Sequence, residues 1–243
     1  MLVDALQRDW RGAAVAWDAL RPRLARATRL RVWNPQLYGL AVYERFLRAH
    51  PPRAGALLAL GLNPGKYGMA QTGVPFTSTS VARERLGLDL PQPFGVAPAS
   101  LRPFLKSYTT ERSSQSVYAL LDRAWGGVGA GWRELYAVSP CGLLFLEKDG
   151  ENVTPADARL ARREDVRALR REVALRAIGT LKPRGVVLLG QDVARVLGDD
   201  IRATVGEERV LVTDHPVARG PGRRGPAWWA ETVHAQLRER GWA

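Results

Sequence analysis

The feature that most constrains this chain is the run Leu57-Leu58-Ala59-Leu60-Gly61-Leu62, which breaks abruptly into Asn63-Pro64-Gly65. An apolar run of strand length, without polar alternation, reads as a strand buried on both faces in a parallel sheet. Leu135 to Val138, Gly185 to Gly190 and Arg209 to Thr213 repeat the pattern. Helical spacing fills the intervals. Buried strands alternating with helices predict an α/β fold: a central, mostly parallel four-stranded sheet flanked by helices on both faces. The polar breaks after the strands, at Asn63, Ser139, Gln191 and His215, then fall on one edge, where open α/β sheets form their ligand crevice.

The intervals read as follows. Residues 4–27 carry Leu6, Trp10, Val15, Trp17, Leu20 and Leu24 at helical spacing, predicting one or two amphipathic helices broken near Pro22. Their aromatics suit a core better than a base-stacking platform. Residues 31–35 read as a loop, and 37–49 as a helix ended by His50-Pro51-Pro52, with His50 at the surface. A short helix over 80–86 precedes a long irregular stretch, 87–113, of a kind that is often functional. A helix over 114–125 ends at Gly126-Gly127-Val128-Gly129. Leu143 to Leu146 form another apolar stretch. Thr154-Pro155-Ala156-Asp157 reads as the start of a helix running to about Leu181. Its arginines (159, 162, 163, 167, 170, 171 and 176) read as a solvated face paired with Glu164, Asp165 and Glu172, rather than as a DNA-contacting face. A short helix over 191–197, a basic glycine-rich loop over 217–225 and a closing helix over 227–240, with His234 at its surface, complete the chain.

Several function classes fall away. Gly61 to Lys66 ends in Gly-Lys, but the spacing is one residue short of a phosphate loop, and Tyr67 stands where the metal-binding hydroxyl belongs. Cys141 is the only cysteine, so no internal disulfide forms, which fits a reducing cytoplasm, and no four-cysteine metal or cluster site is possible. No apolar run approaches the ~18 residues of a membrane span, and Asp4, Arg8 and Asp9 interrupt any secretory pattern. The length of 243 residues suits a single domain spanning residues 1–243, with residues 1–30 as a helical extension. No repeat or coiled-coil pattern points away from a monomer. The net charge of +12 favours a polyanion partner, most simply nucleic acid, and with it a cytoplasmic, bacterial-type protein associated with the nucleoid through DNA.

A strand-ending Asn and a His beside an arginine-rich loop suit a base-excising hydrolase. Breaking an N-glycosidic bond leaves positive charge on the sugar and negative charge on the departing base. A His donor at a ring oxygen stabilises that anion. The electron-deficient sugar needs only a positioned water, which a neutral Asn can supply without metal or cofactor. Reaching the base costs a few kcal/mol of unstacking. Arg219, Arg223 and Arg224 in the loop after His215 would grip phosphate, each neutralised phosphate adding about 0.9 to the salt slope on duplex DNA.

Gly61-Leu62-Asn63-Pro64-Gly65 followed by Gly68-Met69-Ala70-Gln71-Thr72-Gly73-Val74-Pro75-Phe76 closely resembles the first motif of the single-strand-selective monofunctional uracil-DNA glycosylases, in the uracil-DNA glycosylase superfamily. Cys141, Leu143 to Leu146 and Asn152 to Ala156 resemble the family's middle motif. His215-Pro216 with Arg219 resembles its His-Pro-Ser-Pro-Arg-Asn motif. The resemblance covers roughly residues 31–241. It implies a uracil-DNA glycosylase-like fold and a cofactor-free glycosylase acting on DNA. By that likeness Asn63 orients the attacking water and His215 stabilises the leaving base. Phe76 stacks on the flipped base, Gly65 leaves the pocket open beside pyrimidine C5, and the Met69 backbone helps read the base edge. Tyr67 joins the substrate-binding set, and Arg219 lies in the DNA-wedging loop. Two departures stand out. Ser139 takes the place of the family's base-reading Asn, and Val217-Ala218 replaces Ser-Pro. A smaller residue at 139 admits hypoxanthine or xanthine, so the alternatives are a glycosylase preferring those purines and a DNA-binding homologue without catalysis.

Overall fold

The computed structural model describes residues 1–106, 111–217 and 225–243. In chain order its elements are α1 (Leu2–Thr28), β1 (Arg31–Trp33), α2 (Pro35–Tyr38), α3 (Leu40–Ala49), β2 (Leu57–Leu60), α4 (Met69–Thr72), α5 (Thr79–Leu86), α6 (Arg112–Trp125), α7 (Val128–Glu134), β3 (Leu135–Val138), β4 (Leu144–Leu146), β5 (Asn152–Val153), α8 (Ala158–Ala161), α9 (Glu164–Leu181), β6 (Val186–Leu189), α10 (Gln191–Val205), β7 (Val210–Thr213) and α11 (Pro226–Glu239). Short 3-10 turns lie at Arg102–Phe104 and Glu207–Arg209.

The four apolar runs are the four strands of one parallel sheet, ordered β3-β2-β6-β7. Leu57 pairs with Leu135, Leu58 with Val186, and Val186 with Val210. Every residue of β2, β3 and β6 is buried, which is what the unbroken apolar composition required. Each such leucine or valine removed from water contributes about 1.5–3 kcal/mol. The chain runs outward from β2 to β3, then crosses back to β6 on the other side of β2. The carboxyl ends of β2 and β6 therefore flank the topological switch point, where a crevice opens.

A second, antiparallel sheet has the order β1-β4-β5, with Val32 opposite Phe145 and Phe145 opposite Val153. Residues 31–35 thus begin as a strand rather than a loop. Three residues are too few to display a period, so this pairing is set by tertiary contact.

The first helix is not broken at Pro22. α1 runs unbroken through it, because buried residues on both sides, Trp17 and Leu20 before and Leu24 after, hold it down. Pro22 itself is exposed, so the carbonyl it leaves without a donor can reach water. Trp10 stacks on Tyr43 with ring centroids 3.7 Å apart, and both belong to the same core as the central sheet. The helix expected over 37–49 is split at Gly39, where a Cβ would lie 2.4 Å from the Gly73 Cα. α7 follows directly on the glycines read as a terminator, with Gly127 at its start. The long helix expected from Thr154 is instead α8 and α9, and Asp157 caps α8 by accepting from the Arg159 amide at 2.9 Å. His50 and His234 are half-buried rather than at the surface; His50 packs on Phe46 at 5.5 Å. Among the described residues no helix is long and apolar enough to cross a membrane.

Arg170 departs from the solvated arginine face of α9. It is 1% exposed, its Nε and Nη2 have no partner among the described residues, and burial pulls its pKa down. A buried charge without a hydrogen-bonded counterion costs several kcal/mol. Arg170→Met, of similar volume and no charge, is expected to raise the unfolding free energy by about 1–3 kcal/mol in urea titrations. A loss of stability instead would mean that the guanidinium is held by ordered water.

Candidate active site

The site grows from the end of β2. The Gly61 amide donates to the Val138 carbonyl at 2.9 Å, joining this loop to the end of β3. Gly61 also supports the Phe76 ring: a Cβ there would lie 2.5 Å from its Cζ. Phe76 sits at φ 53°, a left-handed conformation that costs a non-glycine residue about 1–2 kcal/mol. Such strain persists only where surrounding contacts fix it. Here Thr72 Oγ1 donates to the Thr77 carbonyl at 2.8 Å and accepts from the Val74 amide at 3.1 Å. The Gln71 carbonyl accepts from the Val96 amide at 2.8 Å. Much of the motif from Gly68 to Phe76 therefore serves to hold the loop in shape.

A cavity of 330 Å³ opens over this loop. Asn63, Gly65, Tyr67, Met69, Phe76, Ser139 and His215 all line it, bringing together every described candidate from both ends of the chain. Asn63 Nδ2 donates to the Pro64 carbonyl at 3.2 Å, which leaves Oδ1 as the acceptor available to a water. Ser139 follows β3, and its carbonyl accepts from Gln36 Nε2 at 3.3 Å. The next carbonyl, Pro140, accepts from the Trp17 indole at 3.1 Å, so α1 buttresses this wall directly. Gln191, expected on the same rim, lines a separate cavity of 270 Å³ together with His215.

His215 follows β7 on a firmly anchored turn. The Asp214 carbonyl accepts from the Trp229 indole at 2.8 Å and from Thr213 Oγ1 at 2.9 Å. The Pro216 carbonyl accepts from Ser116 Oγ at 2.7 Å. Gly190 permits the close approach: a Cβ there would lie 3.2 Å from that of His215. The Val217 amide donates to Nδ1 at 3.3 Å, so Nδ1 is an acceptor and the proton of the neutral ring sits on Nε2. Burial lowers the His215 pKa, an effect partly opposed by Asp192. The ring is thus a neutral donor at physiological pH, suited to a developing anion.

Lys66 also lines the cavity, but its Nζ donates to the Gly150 carbonyl at 2.8 Å and lies 5.0 Å from the Tyr67 ring centroid. Asn152 and Thr154 bring the middle motif to the same wall. Glu111 is the residue the sequence did not expose. Half-buried at the start of α6, it packs its carboxyl over the motif loop: a Cβ on Gly65 would lie 2.0 Å from Oε1, and one on Gly68 2.0 Å from Oε2. The space that Gly65 was expected to leave open is therefore filled by Glu111. Burial raises its pKa to about 7, against the hydrogen bond from the Ser113 side chain. Arg219, Arg223 and Arg224 lie outside the described residues. Among those described, no group of three or more His, Cys, Asp and Glu could hold a metal ion.

A family model described as the uracil DNA glycosylase superfamily matches residues 49–235. The single-strand selective monofunctional uracil DNA glycosylase of Bos taurus is 28% identical over 212 residues, covering 86% of this chain and 77% of that protein. Its Rattus norvegicus counterpart is 28% identical over 215 residues, covering 86% and 76%. The crystal structure of Pedobacter heparinus SMUG2 superposes with a TM-score of 0.66 at 18% identity, over 88% of this chain and 89% of that one.

Proposed function

Because the chain belongs to the uracil DNA glycosylase superfamily, we propose that it is a DNA glycosylase that hydrolyses the N-glycosidic bond of deaminated bases, uracil first, in base excision repair. The observation that carries this is the convergence of Asn63, Phe76 and His215 on one cavity. DNA is the partner, and the net charge of +12 suits it. The chain acts as a monomer and as one domain, with α1 as its buttress.

The flipped base enters the cavity and rests on Phe76, while Ser139, Tyr67 and the Met69 backbone bound its edges. As the bond from the base to C1′ lengthens, negative charge collects on the base. The Nε2–H of His215 donates to a ring oxygen and stabilises that charge without transferring its proton. Asn63 Oδ1 holds a water against C1′. The new C1′–O bond forms as the sugar becomes cationic, and the proton lost by that water passes to solvent. Neighbouring DNA phosphates share in stabilising the cation. Arg219, Arg223 and Arg224 bind DNA phosphates. No protein nucleophile takes part: Lys66, the lysine that lines the cavity, is committed to the Gly150 carbonyl.

Labelled single- and double-stranded oligonucleotides carrying uracil, hypoxanthine or xanthine, cleaved with alkali after incubation, test this reading. Uracil release is expected, and borohydride is expected to trap no covalent adduct in the same reactions. Release of purines alone would move the protein to the purine-preferring alternative. Salt-sensitive binding with no release of any base would leave only the non-catalytic one. A borohydride-trapped species that disappears in Lys66→Ala would overturn the monofunctional mechanism.

A further inference from the structure

Glu111 carries the only carboxyl among the described residues lining the cavity. It has no cationic partner among those residues; its hydrogen bond is with the Ser113 side chain. Its two oxygens pack against Gly65 and Gly68, where a Cβ would lie 2.0 Å from one or the other. The carboxyl therefore lies on the loop beneath the cavity, and Glu111 lines that cavity. The same cavity has Ser139 where an amide was expected to read the base. A hydroxyl cannot present a donor and an acceptor at amide spacing. Asn152 also lines the cavity but is exposed.

We propose that protonated Glu111 is the base-reading residue, donating its O–H to the ring carbonyl that deamination leaves in place of an amino group. This rests on the glycosylase reading and deepens it. Uracil, hypoxanthine and xanthine all present an acceptor at that position. Cytosine and adenine present an amino group there, which meets the O–H with another donor and requires the carboxyl to turn its other oxygen to the base. That mismatch weakens the pairing of the amino form relative to the carbonyl form. Ionisation of Glu111 removes the donor and sets a negative charge against the carbonyl.

The raised pKa, about 7, puts that change within reach of experiment. Below it the neutral donor dominates; above it the carboxylate does. The other titratable groups facing the cavity are Lys66 and Tyr67 on the motif loop and His215 after β7. His215 is shifted downward, so its protonation acts on the acid side and leaves the alkaline side to Glu111. Arg112, beside Glu111 on α6, is exposed.

The test is the single-turnover rate of uracil release from pH 5.5 to 8.5 for wild type, Glu111→Gln and Glu111→Ala, with thermal melts as a folding check. The wild-type rate is expected to fall as the pH rises through about 7. Glu111→Gln, isosteric and still a donor, should stay within about threefold of wild type near pH 6.5 and lose the alkaline fall. Glu111→Ala should be about tenfold slower there, as expected for one lost hydrogen bond, and equally flat. If Glu111→Gln keeps the wild-type alkaline fall, or folded Glu111→Ala matches wild type throughout, Glu111 does not read the base. If wild type releases no base at any pH, the glycosylase reading fails and takes this inference with it.

Discussion

Replacing His215 with alanine is expected to slow single-turnover uracil release by about 100- to 1,000-fold, the usual cost of losing a donor preorganised at a developing anion. DNA affinity should change little, because the lost interaction strengthens only as the bond to the base breaks. The ring is prepared for this role before substrate arrives. Its Nδ1 accepts from the Val217 amide, which fixes the proton on Nε2. The carbonyls on either side are tied down by Trp229 and Ser116, so little reorganisation accompanies the reaction. Asn63→Ala should give a loss of similar order through the unpositioned water, and the double variant should lose less than the product of the two, since both act on one transition state. A His215→Ala rate within threefold of wild type would remove the ring from the mechanism.

Gly73→Ala is expected to destabilise the protein by at least ~3 kcal/mol, read as a lower urea midpoint at unchanged slope. Two costs add at this position. Gly73 has φ 75°, so any side chain there is strained by about 1–2 kcal/mol. Its Cβ would also lie 2.6 Å from both the Cα and the carbonyl oxygen of Gly39. These are backbone atoms at the α2–α3 junction, and no rotamer change can move them aside. Gly87 is the internal control. It has φ 61°, and a Cβ there would meet nothing within 4 Å, so Gly87→Ala should show the strain alone, about 1–2 kcal/mol. Equal losses at the two positions would mean that the Gly39–Gly73 contact is not tight. Because the contact clamps the motif loop, Gly73→Ala should also lower activity in the fraction that remains folded.

What could be read in the sequence was set by local pattern. The four strands of the parallel sheet announced themselves because burial on both faces leaves no polar position to confuse the run. Asn63 and His215 could be placed on one rim because parallel strands end on the same side. The long helix α9 was legible in part, but its start is set at Arg163, which is extended between α8 and α9, while Asp157 caps the separate α8; the Thr154-Pro155 start signal obscured both. Pro22 misled because the packing of α1 outweighs the lost hydrogen bond and the ring clash that a proline brings to a helix interior. Arg170 looked like its neighbours because nothing in a helical arginine row shows which member turns inward. Glu111 was invisible for a stronger reason. It lies at the end of an irregular stretch with no motif of its own, and its importance arises only where α6 meets Gly65 and Gly68 across the fold. A lone carboxyl gains meaning from its neighbours, and those neighbours are distant in sequence.

The most direct measurement is mass-spectrometric quantitation of free uracil released by the wild-type protein from a single-stranded, uracil-containing oligonucleotide, with Asn63→Ala and His215→Ala alongside. The expected result is stoichiometric free uracil and an intact abasic strand with wild type, with release slowed at least about 100-fold in each variant. Tight, salt-sensitive binding with the uracil still attached to the strand, or equal release by all three proteins, would contradict catalysis by these two residues in this cavity.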